Sequence, residues 1–162
     1  MNTEKTKILI LCNDFPPVNS IGADRPYSWY KYFHEFNLYP IVITKNWKSD
    51  GNTQLNKVDE KREVDSTDFG CIIKTSKVMI PSIWFREKFS HRFSTFRKAL
   101  SFIEKLLSFY VLPLDRHKGI YLEACNFLKN NRDVKGVITT GEPFVLFKHG
   151  LCLKRKFNLK WV

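Results

Sequence analysis

Residues 7–25 have the sequence KILILCNDFPPVNSIGADR, and this stretch decides the fold. Ile8 to Cys12 is an uninterrupted apolar run, the pattern of a strand that is buried on both faces, as in a parallel sheet. The two prolines and the glycine after it predict a loop over residues 13–22. A helix is then expected to begin with Asp24 as its N-cap and Pro26 in its first turn.

The residues that follow complete a βαβ unit. Aromatic residues at helical spacing predict that the first helix packs on the sheet through Trp29, Tyr30, Phe33 and Phe36. Asn37 tolerates the left-handed conformation that commonly ends a helix. The run from Pro40 to Thr44 predicts a second strand, and such a strand–helix–strand unit has a right-handed crossover.

The same alternation continues to the end of the chain. Residues 46–69 are polar, charged and without period, which predicts a long loop. The remaining elements are expected as strand 71–74, helix 85–110 (ended by Pro113), helix 120–130, strand 134–140, loop 141–143, helix 144–156 and a strand opening at 159. We therefore expect one α/β domain over residues 1–162, a Rossmann-like parallel sheet with helices on both faces. The last strand stops at Trp161-Val162, which predicts that the chain is truncated.

The composition indicates a globular cytoplasmic protein. Hydrophobic residues make up 43% of the chain and charged residues 27%. The four cysteines form no CxxC pair, and the four histidines have no ligand spacing, so neither a metal site nor a disulfide framework is expected. We expect His34 and His149 to be surface or packed residues, and His91 and His117 to add charge at low pH. Neither a signal peptide nor a membrane span is predicted.

The net charge of +11 permits three kinds of partner: nucleic acid, an anionic membrane surface or phosphorylated small molecules. The surplus is concentrated in the middle of the chain. From Lys74 to Lys129 there are eleven Lys and Arg residues but only four Asp and Glu residues.

A ligand site is predicted where strands end, because doubly wound sheets bind ligands outside the carboxyl ends of their strands. In the first loop, Ser20 precedes Gly22 and Ala23, whose small side chains would let a phosphate or a sugar approach the backbone at a helix N-terminus. Arg25 adds a charge with bidentate donors. The alternative is a tight turn that requires glycine for its φ angle, with Arg25 merely solvated.

The two ends of the chain resemble the bacterial family 4 glycosyltransferases of the GT-B fold. Residues 7–25, followed by Trp29-Tyr-Lys-Tyr-Phe33 and Ile41-Val-Ile-Thr44, are similar to the opening of that family: strand, Phe-Pro-Pro, small-residue loop, Arg, helix. Val137-Ile-Thr-Thr-Gly-Glu-Pro-Phe144 and the segment from Gly150 to Val162 resemble the part before its Asp-Phe-Arg-Asp-Pro-Trp segment. Leu112-Pro-Leu-Asp115 is similar to an upstream Pro-Asp. Residues 45–110 are not covered.

The resemblance implies the acceptor-side half of a two-domain enzyme that moves a sugar from a nucleotide-sugar donor to a glycan or lipid-linked acceptor in surface polysaccharide synthesis. The Ser20–Ala23 loop would face the donor diphosphate and the acceptor, and Gly141, Glu142 and Pro143 would line the acceptor side. The donor nucleotide would be held by a C-terminal domain, which this chain lacks, so the chain alone is expected to be inactive. No cofactor or metal is implied.

The catalytic acid or base is not identified by the resemblance. Asp14 and Glu142 are candidates by position, although Asp14 is equally suited to capping the loop. The chain also departs from the family at Val145-Leu-Phe147, which replaces small polar and His residues, so the resemblance does not extend to the acceptor contact there.

The predicted 85–110 helix has two interpretations. Its apolar stripe packs on the sheet in the first; the stripe consists of Phe85, Phe89, Phe93, Phe96, Leu100, Ile103, Leu107 and Tyr110. In the second, the helix lies in the plane of an anionic membrane. Trp84, Phe102 and Phe109 then widen the apolar face, and the membrane contacts are Arg86, Lys88, Arg92, Arg97, Lys98 and Lys105.

Two further classes of function stay open. The pI of about 9.6 and the aromatics among basic residues suggest a nucleic-acid-binding module, but no DNA- or RNA-binding motif supports it. The other class is a non-catalytic domain that binds a partner protein on a Rossmann-like fold.

Overall fold

The computed structural model describes residues 5–47, 58–59, 61–78, 84, 88, 94–110, 115–141 and 143–162. The strands with described bounds are β1 Thr6–Leu11, β2 Leu38–Lys45, β3 Glu63–Ser66, β4 Cys71–Thr75, β5 Val134–Thr139 and β6 Lys160–Trp161. The helices are α1 Ile21–Tyr32, α2 Ser94–Tyr110, α3 Lys118–Asn130 and α4 Val145–Phe157, with a 3-10 helix at Phe33–Phe36.

The strands form one sheet in the order β3-β4-β2-β1-β5-β6. Every neighbouring pair is parallel except β3 and β4, which are antiparallel. Parallel neighbours require crossover connections, which here bring helices over the sheet. The predicted α/β class and Rossmann-like architecture are confirmed.

Both faces of the sheet are covered, as expected. On one face Leu9 and Leu11 of β1 share a core cluster with Ile120 of α3 and Leu146 of α4. The alternate residues of β1 point to the opposite face, where Ile10 belongs to a second cluster. Trp29, Tyr30 and Phe33 pack against that cluster. The continuous apolar run of β1 therefore supplies two cores at once.

The first helix begins earlier than predicted. Ser20, not Asp24, is the N-cap: its φ is −145°, and its hydroxyl accepts a hydrogen bond from the backbone N–H of Ala23 at 3.1 Å. The helix therefore includes Gly22, and Pro26 lies buried inside it. A serine three residues before Ala23 satisfies an N–H group that Asp24 could not reach from within the helix.

The aromatic stripe does not continue to the end of this segment. The chain tightens into the 3-10 helix after Tyr32, so the 3.6-residue period is lost and Phe36 is 71% exposed. The expectation that Phe36 packs inward was wrong. Asn37 has a φ of 58°, as predicted for the residue that ends the segment.

The segment predicted as a long loop contains a strand. β3 pairs with β4, and a single antiparallel bridge joins Trp47 to Val58. All four residues of β3 are exposed, so the strand has none of the apolar alternation that reveals a strand in a sequence. The turn into β4 is held by Thr67, whose backbone N–H and hydroxyl both donate to the carbonyl oxygen of Gly70.

Helix α2 does not bury its predicted stripe. Phe96, Ile103 and Leu107 are 57%, 51% and 43% exposed, whereas the charged residue Glu104 is buried. The interpretation in which this stripe packs on the sheet is therefore wrong for these three residues of α2. Phe85, Phe89, Phe93 and Pro113 lie outside the described residues.

We expect Gly70→Ala to lower the free energy of unfolding by about 1–3 kcal/mol, the usual cost of overpacking. The added methyl carbon would lie 2.7 Å from the carbonyl oxygen of Pro40 and 2.8 Å from Cε2 of Tyr30. Urea denaturation followed by circular dichroism measures the change. Gly22→Ala is the control: its methyl carbon would have no neighbour closer than 3.5 Å, and alanine favours the helix by at most about 1 kcal/mol. Equal stabilities of the two variants would contradict the expectation.

Candidate functional site

The strand order places a crevice between β1 and β5. From β1 the chain proceeds to β2 and β4 on one side, then returns to β5 on the other side. The loops that leave β1 and β5 therefore diverge, which is the topological switch point at which open α/β sheets bind ligands. A cleft of about 250 Å³ lies there, lined by Asn13, Asp14, Ser20, Gly22, Thr140 and Gly141.

The loop after β1 is held in place by hydrogen bonds to its backbone. The carbonyl oxygen of Asn13 accepts bonds from the Thr44 hydroxyl at 3.1 Å and from the indole N–H of Trp47 at 2.8 Å. Both donors come from the end of β2 or just after it. The tip of β1 is thereby attached to the neighbouring strand, and the cleft wall is ordered before any ligand arrives.

Asp14 and Ser20 form the polar side of the cleft. The Asp14 carboxylate accepts hydrogen bonds from the Asn13 amide at 2.6 Å and from the Ser20 hydroxyl at 3.3 Å. Since the Ser20 hydroxyl also caps α1, the same group orders both the loop and the helix start. Asp14 was predicted either to act in catalysis or to cap the loop, and these hydrogen bonds give it the second role.

Of the small residues in the predicted site, Gly22 and Gly141 line the cleft, whereas Ala23 does not. Gly22 lines the cleft, and a Cβ there would lie 3.5 Å from both the Asp14 Oδ2 and the Ser20 Oγ atoms. Its φ is not positive, so the alternative of a turn that requires glycine is wrong at this residue. Ala23 is buried and serves packing instead. The glycine that needs its conformational freedom is Gly141, with a φ of 81° and open space around its Cβ position.

The late loop meets the first one across the cleft. The Arg25 guanidinium donates to the Thr140 hydroxyl at 3.5 Å, a long hydrogen bond, while the side chain stays exposed. Gly141 lines the cleft, whereas Pro143 is half-buried and its carbonyl oxygen accepts from the Leu146 N–H in the first turn of α4. Glu142 lies outside the described residues. The structure thus brings together Ser20, Gly22, Arg25 and Gly141.

A second polar cluster was missed by the sequence analysis. Asp115, just before α3, faces His149 of α4, with 2.9 Å between the carboxylate Oδ2 and the imidazole Nε2. Its Oδ1 accepts the backbone N–H of His117 at 2.6 Å and lies 3.4 Å from that imidazole's Nδ1. His149, which was expected to be either a surface residue or a packed residue, is fully buried. Asp115 and His149 are 34 residues apart, so no local spacing in the sequence reveals their contact.

Electrostatics in this cluster favour the ionised carboxylate. Burial penalises the charge of Asp115, but hydrogen bonds from His117 and His149 outweigh that penalty and hold its pKa well below the usual range. Burial lowers the pKa of His117, and the charge of Lys45 lowers it further against the pull of Asp115. His117 therefore gains a proton only at lower pH than an ordinary histidine.

The predicted membrane contacts are only partly described. Lys88 and Lys98 are exposed, and the Lys88 ammonium lies 5.0 Å from the centre of the Trp84 ring. Arg97 lies on α2, while Arg86 and Arg92 lie outside the described residues. None of the described helices is long and apolar enough to cross a membrane. Within the described ranges no group of three or more His, Cys, Asp or Glu residues could hold a metal ion.

The fold and the cleft together define an α/β protein with a Rossmann-like sheet and a candidate binding site at its topological switch point. The chain has no significant match to a model of a protein family, to a curated protein or to a solved structure. The resemblance to family 4 glycosyltransferases therefore stays a prediction that depends on the quoted motifs.

We expect Asp115→Asn to lower the free energy of unfolding at pH 7 by about 1.5–3 kcal/mol, the contribution of a hydrogen bond to a charged group. Because the folded pKa of Asp115 is depressed, its stabilisation is fully present above the ordinary value of 3.8 and disappears as the pH falls through the lowered pKa. The deficit of the variant should therefore shrink in acid. Urea denaturation over a pH series measures it, with the exposed Asp65→Asn as control. A deficit independent of pH would contradict this account.

Proposed function

We propose that the chain is the acceptor-side domain of a glycosyltransferase that moves a sugar from a nucleotide-sugar donor to a glycan or lipid-linked acceptor. The observation that carries the proposal is the cleft at the switch point, where Ser20 and Gly22 meet Gly141. These are residues for which the family resemblance implies contact with donor diphosphate and acceptor.

The chemistry of the cleft suits a sugar or a phosphate. Its walls offer a hydroxyl and a carboxylate from one loop and a hydroxyl from the other, which are the groups that orient sugar hydroxyls. Gly141 leaves open space for a close approach to the backbone, and Arg25 supplies a cation beside Thr140. The resemblance assigns the nucleotide to a second domain, so we expect the chain alone to bind ligands weakly and to turn over no nucleotide sugar.

We expect a nucleotide sugar such as a UDP-hexose to shift the backbone amide resonances of Ser20, Gly22 and Gly141 in the isotope-labelled chain. Gly22→Leu should abolish these shifts, because its side chain enters the cleft between Asp14 and Ser20. The matched control is Ser28→Leu, an exposed position on the same helix. Shifts that persist in Gly22→Leu, or that cluster away from the cleft, would contradict the proposed site.

The exposed apolar face of α2 supports a peripheral position at the inner face of the cell membrane. Large apolar side chains that are at least 43% exposed gather there: Phe96, Phe102, Ile103, Leu106 and Leu107. Lys98 is exposed on the same helix, whose sequence also contains Arg97 and Lys105. An in-plane helix buries such a face at the headgroup boundary while its cations meet anionic lipid. A lipid-linked acceptor would make that position useful.

The alternative function, a non-catalytic binding module, is favoured by the same exposed face, since a partner protein would also cover it. The membrane is the better fit because the whole chain has a net charge of +11, and each basic residue near an anionic surface contributes about 1 kcal/mol.

We expect the chain to sediment with anionic vesicles but not with neutral ones, and the binding to weaken with salt as the Debye length falls from about 10 Å at 0.1 M to about 3 Å at 1 M. The double substitution of Phe102 and Ile103 by Glu should abolish binding. Its control carries the same charge change at Phe36 and Val162, which are exposed elsewhere. Short duplex DNA serves as competitor. Binding that survives the α2 double substitution would contradict the proposal that this face contacts the membrane. Absence of binding to either vesicle would contradict it as well and would favour the alternative function.

A further inference from the structure

The polar side chains of the cleft use most of their hydrogen-bond donors within the chain. The single proton of the Ser20 hydroxyl goes to Asp14 Oδ2 at 3.3 Å, and the Ser20 oxygen accepts the Ala23 N–H at 3.1 Å. The Asn13 amide donates to Asp14 Oδ1 at 2.6 Å. A carboxylate has acceptor sites alone, and a hydroxyl has two acceptor sites for each donor. The side chains of the cleft therefore offer a ligand mainly acceptor sites.

One acceptor atom of a cleft residue has no partner. The Oδ1 atom of Asn13 is shielded from water, and none of the described residues donates a hydrogen bond to it. Asn13 itself lines the cleft. A buried acceptor without a donor costs free energy, and a ligand hydroxyl that reached the Asn13 amide would remove that cost. The unpaired oxygen thus favours a ligand that brings hydrogen-bond donors.

The charge in the cleft disfavours an anion. Among the described lining residues, Asp14 alone is charged. Its Oδ2 atom lies 3.5 Å from the position of a Cβ on Gly22, in the first turn of α1. The partial positive charge of a helix N-terminus, which otherwise attracts phosphate, is therefore matched here by a carboxylate of the chain itself. A phosphate in the cleft would lie beside a like charge at short range, where repulsion is strong.

A cation lies at the edge of the same cleft. Arg25 is exposed and is not among the lining residues, but its guanidinium donates at 3.5 Å to the hydroxyl of Thr140, which is one of them. The cleft volume of about 250 Å³ is smaller than the roughly 300–1,000 Å³ of pockets that enclose drug-sized ligands. A single sugar ring suits this volume better than a whole nucleotide sugar.

We propose that the cleft receives an uncharged sugar ring, that Asp14 excludes phosphate from it, and that Arg25 holds the phosphate attached to that sugar at the edge. Asp14 is then a specificity-determining residue, because it accepts hydrogen bonds from sugar hydroxyls and repels anions. The Arg25 guanidinium has the donor geometry that matches phosphate. The inference rests on the proposed function for the sugar phosphate as substrate, whereas the exclusion of anions from the cleft does not depend on it.

A sugar phosphate occurs both in a nucleotide-sugar donor and in a lipid-linked acceptor. A hexose 1-phosphate contains this shared chemistry without nucleoside or lipid, so it tests the orientation of the ligand for both sources. A UDP-hexose and a hexose linked to a short prenyl diphosphate then distinguish the sources. The one that binds more tightly than the hexose 1-phosphate identifies the substrate.

The test is a titration of the isotope-labelled 162-residue chain, followed through the amide resonances of Ser20, Gly22 and Gly141 at an ionic strength held constant with KCl. The ligands are inorganic phosphate and the methyl glycosides and 1-phosphates of glucose, galactose, mannose and N-acetylglucosamine. We expect at least one sugar to shift these resonances in both forms. Its 1-phosphate should bind about fivefold more tightly, which corresponds to about 1 kcal/mol for an exposed ion pair. Inorganic phosphate should leave the resonances unshifted.

Three substitutions separate the roles of the two charges. Asp14→Asn should allow inorganic phosphate to shift the cleft resonances, because it removes the like charge and keeps a polar side chain of the same shape. Asp24→Asn is the matched control. It removes a carboxylate from the first turn of the same helix, at an exposed position outside the lining, and should exclude phosphate like the wild type. Arg25→Gln should lower the affinity for the 1-phosphate to that for the methyl glycoside and leave the latter unchanged.

Asp14 also orders the loop, so circular dichroism and thermal melts accompany the variants. The wild-type titrations test the exclusion of phosphate even if Asp14→Asn does not fold. Four results would overturn the proposal: cleft shifts from inorganic phosphate in the wild type, no shifts from any of the four sugars, a folded Asp14→Asn chain that still excludes phosphate, or equal weakening of both sugar forms by Arg25→Gln.

The failure of the inference and the failure of the proposed function give different results. Cleft shifts from a sugar but not from any nucleotide-linked or lipid-linked sugar would support the assignment of the cleft and contradict the proposed function. Cleft shifts from a UDP-hexose together with shifts from inorganic phosphate would support the proposed function and contradict the exclusion by Asp14.

Discussion

The pairing of β1 with two parallel neighbours is the constraint on which the rest of the molecule depends. β1 pairs with β2 on one side and with β5 on the other, although more than 100 residues separate β1 from β5. Leu9, Ile10 and Leu11 are fully buried as a consequence. Because β2 and β4 lie on one side of β1 and β5 lies on the other, the loops that follow β1 and β5 diverge. The crevice lies between these two loops. Core and candidate site are thus products of a single strand arrangement.

The polar contacts at the carboxyl edge share one physical principle. Polar backbone and side-chain groups that are shielded from water at the strand ends form hydrogen bonds with a neighbouring element. The Asn13 carbonyl is held by residues of β2 and the segment after it, Ser20 caps α1 while donating to Asp14, and Asp115 is held by histidines on two segments. These bonds order the loops in advance, which reduces the entropy that a ligand must overcome.

Helix α2 shows that an amphipathic pattern does not identify the surface that covers its apolar side. The apolar residues of the stripe have helical spacing, but Phe96, Ile103 and Leu107 are exposed, whereas Glu104 is buried. Periodicity indicates which side of a helix avoids water in the final assembly. It does not indicate whether the covering surface is the chain's own sheet, a membrane or another protein.

Local patterns in the sequence determined the fold class, most of the strands and the two loops of the cleft. Continuous apolar runs identify buried parallel strands, and Pro and Gly mark the loops after β1 and β5, because these effects act within a few residues. The exposed strand β3, the capping role of Ser20 and the outward side of α2 were decided by tertiary structure. So was the joining of Asp115 to His149. Such features depend on which distant residues the sheet order brings together, and strand order is set by the packing of the whole chain rather than by any segment of it.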